Sequence, residues 1–158
     1  MFNTLILKMN PNFGYCVWYK LHPSHPYNRV IRYASAVLQT PVFDAHITIV
    51  AYMRALYAAK TIKLLYERKP RPTFQVRQIP AITRSNHFHA IQYNLDTDQG
   101  AGWHTSIAYR IGQGFSTQDY MKVFEGERPN VYTITPDDYS VVLMNCSASN
   151  PEDWFEVK

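Results

Sequence analysis

Two imidazoles, each followed two positions later by a hydroxyl, are the residues of this chain best placed to do chemistry. His46 precedes Thr48 in Phe43-Asp44-Ala45-His46-Ile47-Thr48-Ile49-Val50. His104 precedes Ser106 in Gly102-Trp103-His104-Thr105-Ser106-Ile107-Ala108-Tyr109. Imidazole titrates at about pH 6.5 when unperturbed, so one ring can accept a proton while another delivers one. A hydroxyl beside each ring can donate a hydrogen bond to oxygens on which negative charge accumulates. Chance gives about 0.7 His-x-Ser/Thr matches at this composition, and the chain has three. The third, His22-Pro23-Ser24, runs into His25-Pro26 and reads as a turn, because proline restricts its neighbour and donates no N–H.

The other two matches lie inside apolar runs of strand composition. Residues i and i+2 of a strand face the same way. His46 and Thr48 therefore share one face and Ile47 and Ile49 the other; His104 and Ser106 share a face opposite Thr105 and Ile107. The remaining elements must bring these two faces together. Further strands are expected over Phe13 to Leu21, Thr73 to Ile79, Asn86 to Leu95, Val131 to Thr135 and Tyr139 to Cys146, and the first few residues are a further candidate. Helical spacing marks Tyr27 to Leu38 and Arg54 to Arg68. Ser116 to Phe124 opens with a Ser N-cap and Asp119 three residues later.

The paired stretches resemble the signature of the 2H phosphoesterase superfamily, which includes the 2′-5′ RNA ligase-like and cyclic phosphodiesterase families: a His-hydrophobic-Thr/Ser-hydrophobic motif occurring twice. His46-Ile47-Thr48-Ile49 matches in full; His104-Thr105-Ser106-Ile107 carries Thr105 where an apolar residue is usual. The terminal Asp153-Trp154 pair is also similar to cyclic phosphodiesterase relatives. The resemblance implies an α+β fold: a single bilobed domain over residues 1–158, with two antiparallel sheets facing a central cleft and helices outside. A helix usually separates the strands before the second motif in these families, and its absence here implies a shortened or rearranged second lobe. The resemblance further implies a metal-independent phosphodiesterase without a cofactor. His46 and His104 would be its acid and base, in an order left open, and Thr48 and Ser106 would hold the phosphate oxygens. Small stand-alone members include viral proteins that destroy immune nucleotide signals, the phage anti-CBASS nucleases among them. A cyclic oligonucleotide or 2′-5′-linked signal is thus one substrate class, and a 2′,3′-cyclic mononucleotide or RNA end another. A non-catalytic RNA- or nucleotide-binding module is the reading from a different class.

Substrate choice falls to other residues. Tyr15, Trp18, Tyr52, Trp103, Tyr109 and Trp154 are candidate platforms for stacking a base, with Tyr15 and Trp154 preferred. Strict alternation puts Tyr109 on the face opposite Ser106. Arg54, Arg84 and Arg110 are candidates for a second phosphate. His22-x-x-His25 and His87-x-His89 have metal-like spacing, but the first pair sits in a proline turn and the second has no carboxylate or thiol cluster nearby, so no metal is expected.

With 46% hydrophobic and 18% charged residues, the chain of 158 residues reads as globular. A formal charge of +4 and a pI near 9.1 suit a small anionic substrate and are too mild for stable duplex binding. Cys16 and Cys146 form neither a metal-knuckle spacing nor a disulfide framework, so a reducing cytoplasm is the expected setting (that of the host, if the chain is viral). No apolar run approaches a transmembrane span or a signal-peptide core, so no membrane partner is expected.

Overall fold

Antiparallel strands organise the chain, and the helices cover one of their faces. The computed structural model describes residues 12–85 and 88–158. The candidate strand at Met1 to Asn10 lies outside them, as do Asn86 and His87. The elements in order are β1 (Tyr15–Leu21), α1 (Pro26–Leu38), β2 (His46–Met53), α2 (Leu56–Arg68), β3 (Phe74–Val76), β4 (Ala81–Arg84), β5 (His89–Asp96), β6 (His104–Arg110), α3 (Thr117–Gly126), β7 (Thr133–Ile134), β8 (Tyr139–Asn145) and β9 (Phe155–Glu156). Short 3-10 turns at Pro136–Asp138 and Pro151–Asp153 flank β8.

The fold is α+β. In place of two facing sheets, the described strands form one nine-stranded sheet in the order β7-β3-β5-β6-β2-β1-β8-β9, with β4 also on β5. Its centre is a narrow seam. β2 and β6 meet at one registered pair, Ile47 with Thr105, where the Thr105 hydroxyl donates to the His46 carbonyl at 2.8 Å. Both residues are fully buried. The two motif strands are thus the joint between the halves of the sheet.

Period-two alternation assigns the layers. On β1, Val17, Tyr19 and Leu21 enter the main core with Val30, Ile31 and Ala34 of α1, Ala59 of α2, and Val123 and Phe124 of α3. Cys16 and Trp18 point the other way and form a smaller cluster with Val142, Met144 and Cys146. All three helices therefore pack on one face, and the opposite face is left for a cleft.

Local chemistry explains the helix ends. His25 caps α1, its Nδ1 accepting from Tyr27 N–H at 3.2 Å, and Pro26 fills the first turn, where no donor is needed. Ser116 and Asp119 form a reciprocal capping box on α3. Asn28 of α1 donates to the His22 carbonyl at 2.9 Å and accepts from Ala45 N–H at 2.8 Å. It thereby ties the helix to the residue just before His46. Among the described residues no helix is long and apolar enough to cross a membrane.

Candidate active site

The seam register builds the site. Antiparallel pairing of Ile47 with Thr105 sets His46 across from Ser106 and Thr48 across from His104, with opposed Cβ atoms about 5 Å apart. All four side chains then share the face away from the helices. His46, Thr48 and His104 line one cavity of about 170 Å³. The sequence expected four residues on two similar faces; the register makes those faces one.

Local backbone geometry repeats between the motifs. Each triplet pairs regularly with its outer neighbour: His46, Ile47 and Thr48 with Lys20, Tyr19 and Trp18, and His104, Thr105 and Ser106 with Asn94, Tyr93 and Gln92. A bulge follows each one. Ile49 is the extra residue in β2, between the pairs Trp18–Thr48 and Val17–Val50. Ile107 is the extra residue in β6, between Gln92–Ser106 and Ile91–Ala108. A bulge reverses the alternation beyond it. That is why Tyr109, expected on the opposite face from Ser106, lines the cavity. Ala51 reaches the same cavity from β2.

The two imidazoles are anchored alike. His46 Nδ1 lies 2.7 Å from the carbonyl of Asp44, and His104 Nδ1 lies 3.2 Å from that of Gly102. A carbonyl only accepts, so in each neutral ring the proton sits on Nδ1 and Nε2 is the basic nitrogen. Gly102 has φ +86°, a left-handed conformation that glycine adopts at little cost. Asp44 is itself held, its carboxylate 3.5 Å from Lys20 Nζ.

Their surroundings differ. His46 is buried and stacks on Trp18, the centroids 3.6 Å apart and the rings 10° from parallel. Burial pushes the His46 pKa down to about 4; the Asp44 carbonyl opposes this and the nearby His104 adds to it. His46 is thus neutral at physiological pH. His104 is half-buried at the cavity wall.

Aromatic rings frame the cleft: Phe13, Trp18, Tyr52, Phe88, Tyr109 and Trp154. Trp154 is held by an indole N–H bond to the Ala148 carbonyl at 2.9 Å. Past Trp154, Tyr109, Phe13 and Phe88 the cleft opens into a pocket of about 420 Å³, whose far wall includes Gln39, Thr40 and Asn150. Thr40 is buried, and its hydroxyl has no hydrogen-bond partner among the described residues.

Tyr15, expected as a stacking platform, lies outside the histidine cavity. It packs against the helix-side core because parity on β1 gives the cleft face to Cys16 and Trp18. Trp18 is the platform under His46 that its placement in a regular strand could have revealed. Trp103 also turns to the core, against Tyr19 and Phe74. Arg110 is committed to Asp119 at 3.1 Å. The other described histidines have structural tasks. His25 caps α1, His22 bonds the Asp137 carbonyl at 2.9 Å, and His89 bonds the Gly112 carbonyl at 3.1 Å. Among the described residues no three His, Cys, Asp or Glu side chains gather as metal ligands. Cys16 and Cys146, remote in sequence, are free buried thiols that both line the cavity wall, and the Cys16 thiol donates to the Phe13 carbonyl at 3.5 Å.

A comparison with models of protein families finds no match to this chain, and neither does a comparison with curated proteins.

Proposed function

We propose that this chain is a metal-independent phosphodiesterase acting on a nucleotide phosphodiester. A cyclic oligonucleotide or a 2′-5′-linked signal is the favoured substrate class, and destruction of an immune signal in the cytoplasm the favoured role. The observation that carries the reading is the matched anchoring of two imidazoles at one cavity, each with Nδ1 on a backbone carbonyl. On this reading the two halves of the sheet act as the lobes of a 2H-like fold, with the motif seam as the floor between them.

His46, kept neutral by burial, takes the proton of the attacking oxygen at Nε2. That oxygen bonds to phosphorus as the bond to the leaving oxygen breaks. His104, at the more open wall, gives the leaving oxygen its proton. Thr48 and Ser106 donate hydrogen bonds to the non-bridging oxygens as their charge grows. A base stacked on Trp154 would occupy the larger pocket, where Gln39 and Asn150 offer polar groups to its edge.

The test is turnover with EDTA present. The panel is a 2′,3′-cyclic mononucleotide, a 2′-5′ oligoadenylate, and 3′-5′ and 2′-3′ cyclic dinucleotides. His46→Ala and His104→Ala should each cost about 10²–10⁴-fold. Absence of turnover on every substrate, or turnover that survives both changes, returns the chain to a nucleotide-binding role.

A further inference from the structure

Tyr52 sits at a second bulge of β2, between the pairs Val17–Val50 and Tyr15–Met53, and it combines three properties. Its φ is +62°, a backbone region in which a bulky side chain is a genuine outlier. Its side chain is 54% exposed, so burial does not offset the strain. It is also the residue shared between the histidine cavity and a separate pocket of about 360 Å³ on its other side. Strain of this kind collects where a ligand is clamped.

The backbone around Tyr52 is held firmly. Its N–H donates to the Phe13 carbonyl at 2.6 Å, and the Phe13 ring backs its own at 5.3 Å and 37°. Gly14 allows this close approach, since a Cβ there would lie 2.7 Å from the Met53 carbonyl oxygen. The outer pocket has Asn12, Tyr15, Arg54 and Ser147 among its walls. Asn12 Oδ1 is taken by Gly14 N–H at 2.9 Å, which leaves the side-chain NH₂ to donate. Arg54 is exposed and makes no ion pair among the described residues. An aromatic face beside an unpaired guanidinium, an amide donor and a hydroxyl suits a nucleotide: the ring takes the base or sugar and Arg54 the phosphate.

We infer that Tyr52 divides the histidine cavity from a second nucleotide subsite, formed with Asn12, Tyr15, Arg54 and Ser147, which holds the nucleotide on the opposite side of the scissile phosphate from Trp154. The inference rests on the phosphodiesterase reading for its substrate and extends it. The favoured substrate carries a nucleoside on each side of the bond that breaks, which a 2′,3′-cyclic mononucleotide does not.

Calorimetric titration of the full chain with 5′-AMP and with the linear dinucleotide pApA tests it, in a His46→Gln background so that neither probe is consumed. The dinucleotide should bind about tenfold more tightly than AMP, and Arg54→Ala should reduce that preference to within about threefold. Tyr52→Gly should lower dinucleotide affinity about fivefold or more while leaving AMP affinity unchanged. Its Tm should match or exceed that of the background protein, because glycine takes the positive φ without steric cost. Equal affinity for the two probes, or a preference that survives both changes, overturns the subsite. The outcomes separate the two ideas. Cleavage of a cyclic mononucleotide with no dinucleotide preference leaves the enzyme and removes the subsite. An Arg54-dependent preference with no turnover of any substrate leaves the subsite and removes the enzyme.

Discussion

Acid should destabilise this fold through His46, and by an amount that can be worked out. The ring is buried against Trp18 at 3.6 Å, and its pKa in the folded chain is pushed down to about 4, against about 6.5 when unfolded. As pH falls, the unfolded chain takes up this proton first. The contribution to stability is therefore complete above about pH 6.5 and drains away as pH falls towards about 4. Integrated between pH 7 and 5 the loss is about 2 kcal/mol, approaching about 3 kcal/mol at lower pH. His46→Gln removes the titration while keeping a polar side chain of similar reach. Urea unfolding of parent and variant at pH 7 and pH 5 supplies the comparison. His25, whose pKa burial also lowers, titrates in both proteins and cancels. The parent should lose about 2 kcal/mol more than the variant over this interval. Equal losses would refute the claim that His46 is held neutral, and with it the argument that this ring is the base. If the claim holds, the acid limb of kcat/KM should lie near pH 4 rather than near 6.5.

Two further predictions concern the scaffold. Thr105→Val keeps the shape of the seam but strips the His46 carbonyl of its buried donor. It should cost about 1–3 kcal/mol in chemical denaturation, and loss of less than about 0.5 kcal/mol would show that the seam does not depend on that bond. Gly14→Ala forces a Cβ to 2.7 Å from the Met53 carbonyl at φ +62°. It should destabilise by about 1–3 kcal/mol and lower Tm; an unchanged Tm would mean that the β1–β2 crossing is free to relax.

The helices were legible because their signals are local. Apolar residues at helical spacing marked Tyr27 to Leu38, and the helix runs Pro26–Leu38; Ser116 and Asp119 announced a capping box that is formed. The strand Ala81–Arg84 passed unread. Its exposed, mixed side chains alternate only weakly, and it exists because β5 offers an edge to pair with. Tyr15 and Tyr109 show where alternation along a strand holds and where it fails. Tyr15 lies on the helix side of β1, in parity with Val17 and Tyr19. Parity failed at Tyr109 because the bulge at Ile107 is defined only by the partner strand.

What the sequence determined by itself is the pairing within each motif. His46 with Thr48, and His104 with Ser106, share a face in any strand that contains them, because that follows from the period of two. What the tertiary structure decided is that the two faces are one. The Ile47–Thr105 register, a long-range pairing that no local preference encodes, sets the imidazoles at a common cavity. It also decided that they differ. Burial depends on what the rest of the chain stacks above a residue, and Trp18 lies under His46, while His104 stands at the more open wall.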